Sequence, residues 1–138
     1  MKKGYTLLEL LVTITILGFL IAMVAISAIH FYNDRNQKEY NNIVSIIVDS
    51  VKVLVNTDTQ VITNMNDILT SEDDTCKIEY SDLVTKKLMD ENTINPLTQK
   101  PFNTNSYVKV ILLNDYNYQY TFVDADEEEI EDLPNCIN

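Results

Sequence analysis

Glycine is almost missing from this chain, with two in 138 residues, and it is accompanied by three prolines and no tryptophan. That composition excludes collagen-like repeats and Gly- or Pro-rich low-complexity linkers. Histidine is scarcer still. The single one, His30, sits with an apolar block, so the rest of the chain has no imidazole for a catalytic triad or a multi-histidine metal site. Basic residues are few as well: ten Lys and Arg face 21 Asp and Glu, for a formal charge of -11. Tracking a phosphate backbone needs a basic face, so the balance argues against nucleic acid as a partner. No motif calls for a cofactor.

The apolar residues are concentrated. From Leu10 to Ile29 there are twenty consecutive residues without a charge, whereas charged and amide residues are frequent from Asn33 onward. As a helix, such a block spans roughly 30 Å, the hydrocarbon thickness of a bilayer. Lys2 and Lys3 precede it, so the positive-inside rule puts that end in the cytoplasm and everything after Tyr32 outside. A cleavable secretory signal also starts with Lys and an apolar run, and Ala25-Ile26-Ser27 offers a small-residue cut, but this run exceeds the ~7–15 residues of a signal core. Glu9 interrupts the apolar logic. Taken alone, it is an interfacial carboxylate that reaches water along its own stem.

Lys2-Lys3-Gly4-Tyr5-Thr6-Leu7-Leu8-Glu9-Leu10 resembles the leader and start of the type IV pilin and pseudopilin family: a short basic leader ending in Gly, an aromatic, a Thr-Leu pair, and a Glu five residues past the Gly. The resemblance implies that a prepilin peptidase cuts between Gly4 and Tyr5 and methylates the new amine on Tyr5. It also implies that Glu9 meets the amino terminus of a neighbouring subunit and fixes the stagger of the filament. The chemistry suits the residues. Cleavage strands a cation at the membrane edge, and Glu9 is the nearby anion that compensates it. Two departures stand out: Tyr5 replaces the family's commoner Phe, and no Pro interrupts Ala25-Ile26-Ser27-Ala28. Gly18 matches a mid-helix Gly of the family, as a point of local loosening or of close helix packing.

Beyond the block, Asn33 to Glu39 is polar but contains no Pro or Gly to stop a helix. Tyr40, Ile43, Val44, Ile47, Val51 and Leu54 then recur at the spacing of an amphipathic helix. A single helix from about Tyr5 to Asn56, roughly 78 Å long, is expected to carry this stripe against the domain's own sheet. Thr57 to Thr75 is rich in Thr, Asn and Asp, and is expected to be a surface loop with at most a short helix. Ser81 is a candidate N-cap for a helix burying Leu83, Val84, Leu88 and Met89 and stopping before Pro96. Pro96 and Pro101 impose extended backbone on the residues before them, and the segment Asn95 to Phe102 resembles a proline-containing loop of some pilin-like proteins. Tyr107–Leu113 and Tyr118–Val123 form an antiparallel hairpin, with turn chemistry at Asn114-Asp115-Tyr116-Asn117. Alternation assigns Tyr118, Tyr120 and Phe122 to one face, for core packing rather than for stacking on sugars or bases. The expected fold is α+β, a long N-terminal helix packed on a small antiparallel sheet.

Cys76 and Cys136 both fall in the part expected outside the cytoplasm, which favours a disulfide over two buried thiols. Asp124, Asp126, Glu127, Glu128, Glu129, Glu131 and Asp132 form an acidic run, which is normally a solvated segment. The competing reading is a Ca²⁺ site with Asp124, Asp126 and Glu128 as candidate ligands, against which the run has no Gly where an EF-hand loop turns.

The leading expectation is a structural subunit, not an enzyme. It has residues 1–4 as a removed leader, 5–32 as the transmembrane and assembly half of the helix, and 33–138 as an outer domain. Its implied partners are other pilin subunits, a prepilin peptidase, an inner-membrane assembly platform and the lipid bilayer, and its implied location is the bacterial membrane and then the pilus or cell surface. A membrane-anchored extracellular binding module that does not polymerise competes with it and would retain Lys2 to Gly4. A secreted enzyme behind a signal peptide would require a soluble product beginning near Ala28.

Overall fold

A computed structural model describes residues 4–114 and 117–137. Helix α1, Leu7–Thr57, starts and ends within two residues of the expected limits. The chain divides into two compact units after Lys38.

In the unit from Glu39 onward, α1 is amphipathic, and its apolar stripe makes one wall of the core. Ile47 and Val51 are fully buried and Leu54 and Val55 nearly so, with Tyr40, Ile43 and Val48 packed at the margin. The helix stops at Thr57 because Asp58 adopts extended backbone and becomes the N-cap of α2, Thr59–Ile68. The Asp58 carboxylate accepts from the backbone N–H of Gln60 at 3.0 Å and of Val61 at 3.4 Å. The segment expected to be mainly loop is therefore largely helix. Val61, Met65 and Leu69 turn inward at i, i+4 and i+8, and this burial outweighs the poor helix propensity of its Thr and Asn residues.

Strand β1, Thr75–Glu79, was not expected. Its two apolar residues alternate with Thr75, Lys77 and Glu79, too short a pattern to stand out alone. Helix α3, Tyr80–Thr85, follows directly, and its N-cap is Glu79 rather than Ser81. Asp82 accepts the Glu79 N–H at 3.0 Å, and the N–H groups of Tyr80 and Ser81 reach the carbonyls of Ser106 and Thr104. The helix ends well before Pro96. Leu88 N–H bonds to Leu83 O and Lys87 N–H to Val84 O, a Schellman closure with Lys87 in the left-handed region at φ 58°.

Strands β2 (Ile94–Asn95) and β3 (Lys100–Pro101) pair as a small hairpin. The residues preceding the two prolines, Asn95 and Lys100, are both strand residues, as their restricted backbone requires. Strands β4 (Tyr107–Asn114) and β5 (Asn117–Val123) form the expected antiparallel hairpin, and Asn114 pairs with Asn117. Asp115 and Tyr116 of the expected turn lie outside the described residues.

The sheet order is β1-β4-β5, all antiparallel. Register places Ile78, Val108 and Phe122 in one cross-strand row and Cys76, Val110 and Tyr120 in the next, all facing the helical stripe. Tyr118, Tyr120 and Phe122 thus pack on the core, and Lys52 of α1 lies 5.9 Å from the centre of the Tyr120 ring. The long helix packed on a small antiparallel sheet is the architecture expected from the sequence.

The chain end covers the free edge of β1. Lys77 N–H donates to Pro134 O and Cys136 N–H donates to Lys77 O, a parallel bridge that masks part of an exposed strand edge. Cys76 and Cys136 are joined by a disulfide across a sequence separation of 60, and both are fully buried.

Two outcomes are expected for the fragment Glu39–Asn138. Reduction should lower its stability by about 4 kcal/mol, the loop-entropy value for such a crosslink, in urea melts with and without reductant. Lys87→Gly should raise its stability by about 1 kcal/mol, because glycine takes the left-handed conformation without the Cβ penalty; the same melts measure it.

Candidate functional site

Two places gather the residues singled out by the sequence. The first is the start of α1. Gly4, Tyr5 and Thr6 lie outside the helix and are exposed. Thr6 is the cap: its Oγ1 accepts the Glu9 N–H at 3.3 Å, while Glu9 Oε2 accepts from Thr6 N–H at 3.0 Å and from Thr6 Oγ1 at 3.2 Å. This is a reciprocal capping box, which also places a carboxylate at the positive end of the helix. The first helical backbone bond runs from Leu10 N–H to Thr6 O at 3.1 Å. Sequence reasoning singled out Glu9 but passed over Thr6, although Thr-x-x-Glu ahead of an apolar run is the signature that finds it. Lys2 and Lys3 lie outside the described residues.

Past the cap, the helix is apolar on every side as far as Tyr32, and none of the described residues of its own unit covers that stretch. Leu7, Leu11, Ile14, Phe19, Ile21 and Val24 are all exposed. Its hydroxyls are turned back on the helix: Thr13 donates to Glu9 O, Thr15 to Val12 O and Ser27 to Met23 O. Backbone acceptors inside the helix thus satisfy the side-chain donors, as an environment without water demands. Among the described residues this is the one helix long and apolar enough to cross a membrane, by length and composition. A Cβ placed on Gly18 would meet nothing within 4 Å.

The second place is Asp124. The acidic run is mostly exposed, yet Asp124 is only 3% exposed. Its Oδ2 accepts from Tyr40 Oη and Asn95 Nδ2, each at 3.1 Å, and its Oδ1 from Ser106 Oγ at 3.4 Å and Asp126 N–H at 3.1 Å. Neutral donors from α1, β2 and the residue before β4 therefore converge on one buried carboxylate. Burial first, and then the Asp124 charge, push the Tyr40 hydroxyl well above the usual tyrosine range, so Tyr40 stays a donor. Nearby, Asp126 accepts from Asn103 Nδ2 at 2.9 Å and Glu131 pairs with Lys109 at 2.7 Å, so the run is pinned at three points. Of the candidate calcium ligands, Asp124 points inward while Asp126 and Glu128 are exposed. Among the described residues, no group of three or more His, Cys, Asp or Glu is arranged to hold a metal ion.

Residues 1–25 match the family model described as the prokaryotic N-terminal methylation motif. The N-terminal region carries the signature of type IV pilin and pseudopilin precursors. No curated protein and no solved structure matches the chain. The matched residues contain Gly4, Tyr5, Thr6, Glu9 and Gly18. This signature, at the head of a long helix packed on a small antiparallel sheet, supports a structural, polymer-forming subunit.

Asp124→Asn should cost about 1–3 kcal/mol, because an amide nitrogen turned toward these donors leaves at least one of them without an acceptor. Thermal melts of fragment Glu39–Asn138 measure the loss. EDTA should leave the wild-type melting temperature unchanged, and a shift of several degrees reversed by Ca²⁺ would contradict that.

Proposed function

We propose that the protein is a prepilin-type subunit, cut between Gly4 and Tyr5, methylated on the Tyr5 amine, and polymerised into a type IV pilus or pseudopilus. Residues 1–4 are the leader, 5–32 the membrane and assembly half of the helix, and 33–138 the outer domain. Before assembly the subunit sits in the bacterial membrane as a single span, with Lys2 and Lys3 on the cytoplasmic side. Its partners are a prepilin peptidase, an inner-membrane assembly platform, the bilayer and other pilin subunits.

The observation that carries this reading is the match of residues 1–25 to the methylation motif, at the head of a helix whose first half is apolar on all sides. A helix face that nothing in its own unit covers needs a bilayer or other helices around it. In the membrane the bilayer serves; in a filament the same residues pack on their counterparts. Glu9 then limits the register. An ionised carboxylate in hydrocarbon costs about 2.5–3.5 kcal/mol at mid-membrane, and the Tyr5 ammonium of a neighbouring subunit offsets that cost in one stagger only.

Intact mass and N-terminal sequencing of the membrane-extracted protein should show a chain starting at Tyr5 with one added methyl group. Gly4→Leu should keep its leader. A wild-type chain that retains Lys2 to Gly4 would favour a membrane-anchored module that does not polymerise. Glu9→Leu should still insert in the membrane but fail to enter filaments, and wild-type incorporation in a shear assay would reduce Glu9 to an interfacial charge.

A further inference from the structure

The capping box bears on the peptide bond just upstream of it. In a helix extended by two residues, the N–H of Leu8 would bond to the carbonyl of Gly4 and the N–H of Glu9 to the carbonyl of Tyr5, following the i to i−4 rule. Extension is easy in principle. Adding residues to an existing helix needs no new nucleus, and near a bilayer each backbone group left without a partner is costly. Thr6 blocks it, because its hydroxyl takes the Glu9 N–H at 3.3 Å that Tyr5 O would otherwise accept. Glu9 holds the Thr6 N–H in return. Gly4, Tyr5 and Thr6 accordingly stay outside the helix, and no heavy atom beyond its immediate chain neighbours lies within 4 Å of a Cβ position at Gly4.

We infer that the Thr6–Glu9 capping box keeps the Gly4–Tyr5 bond out of the helix and open to a protease, which makes Thr6 a positioning residue for processing. This rests on the reading that the cut falls between Gly4 and Tyr5. Hydrolysis adds water to the Gly4 carbonyl carbon, breaks the bond to Tyr5 N, and leaves a Gly4 carboxylate and a Tyr5 ammonium. The peptidase must polarise the Gly4 oxygen, and that oxygen is free only while Leu8 N–H is not bonded to it. Glu9 thereby acts twice. Its hydrogen-bonding shape serves processing, and its charge serves assembly.

Cleavage of the full-length chain in lipid vesicles by a prepilin peptidase, followed by mass spectrometry, tests the inference. Thr6→Ala removes the cap and inserts the strongest helix former. It should raise the apparent KM, by at most about fivefold, at unchanged kcat, because loss of an ordinary cap lowers the ratio of open to helical bonds by about that factor. Thr6→Ser and Thr6→Asn keep a capping side chain and should behave as wild type. So should Glu9→Gln, since Gln serves equally in a capping box. Wild-type kinetics in Thr6→Ala would overturn the inference, as would Ser and Asn variants as slow as Ala, or a loss confined to kcat, which would mean that the peptidase touches Thr6 itself. A wild-type chain left uncut between Gly4 and Tyr5 would overturn the processing reading and this inference together.

Discussion

The burial of Ile47 and Val51 of α1 against the rows Ile78-Val108-Phe122 and Cys76-Val110-Tyr120 is the contact on which the unit from Glu39 onward depends. A three-stranded sheet cannot bury its inner face alone, and an amphipathic helix cannot bury its stripe alone. Each supplies the other's missing wall. The other elements are arranged around that contact: α2 adds Val61 and Met65, α3 adds Tyr80 and Leu83, and Phe102 closes the end against Tyr40.

Scarcity of glycine shapes how the pieces are joined. Both glycines lie in the first 38 residues, so every tight connection in the unit from Glu39 onward uses another residue. Asp73, Lys87 and Gln99 take left-handed conformations that glycine would adopt without strain. Side chains and chain ends supply the compensating order. Asn95 accepts from Leu97 N–H, Gln99 donates to Pro96 O, and Asp74 gathers the N–H groups of Thr70 and Ser71, which hold its carboxyl below the usual range. The disulfide and the parallel bridge at Lys77 then fix the chain end against β1.

At the other extreme of the chain the constraint is solvation of backbone and charge. A helix that is apolar on all sides can carry hydroxyls only by turning them onto its own carbonyls, and can begin cleanly only if its first N–H groups find a partner. Thr6 and Glu9 provide that beginning. One carboxylate therefore contributes a local cap, and in the proposed filament it contributes the charge that sets register.

Features with a repeating local pattern could be read from the sequence without a structure. The apolar block, the stripe from Tyr40 to Leu54, and the Tyr118-Tyr120-Phe122 alternation each extend over enough residues to set a period, and the leader through Glu9 is a contiguous motif. Tertiary structure alone decided what short or distant pieces do. Residues 59 to 68 are helical because Val61 and Met65 meet a core that lies elsewhere in the sequence, and Thr75–Glu79 is a strand because β4 and the chain end flank it. Asp124 looks like one carboxylate among seven, and it becomes a buried hub because Tyr40, Asn95 and Ser106, which lie 84, 29 and 18 positions away, reach it together. Periodicity reports that one face of a segment is buried, but it carries no information about which remote donors will surround a single polar group once that segment has packed.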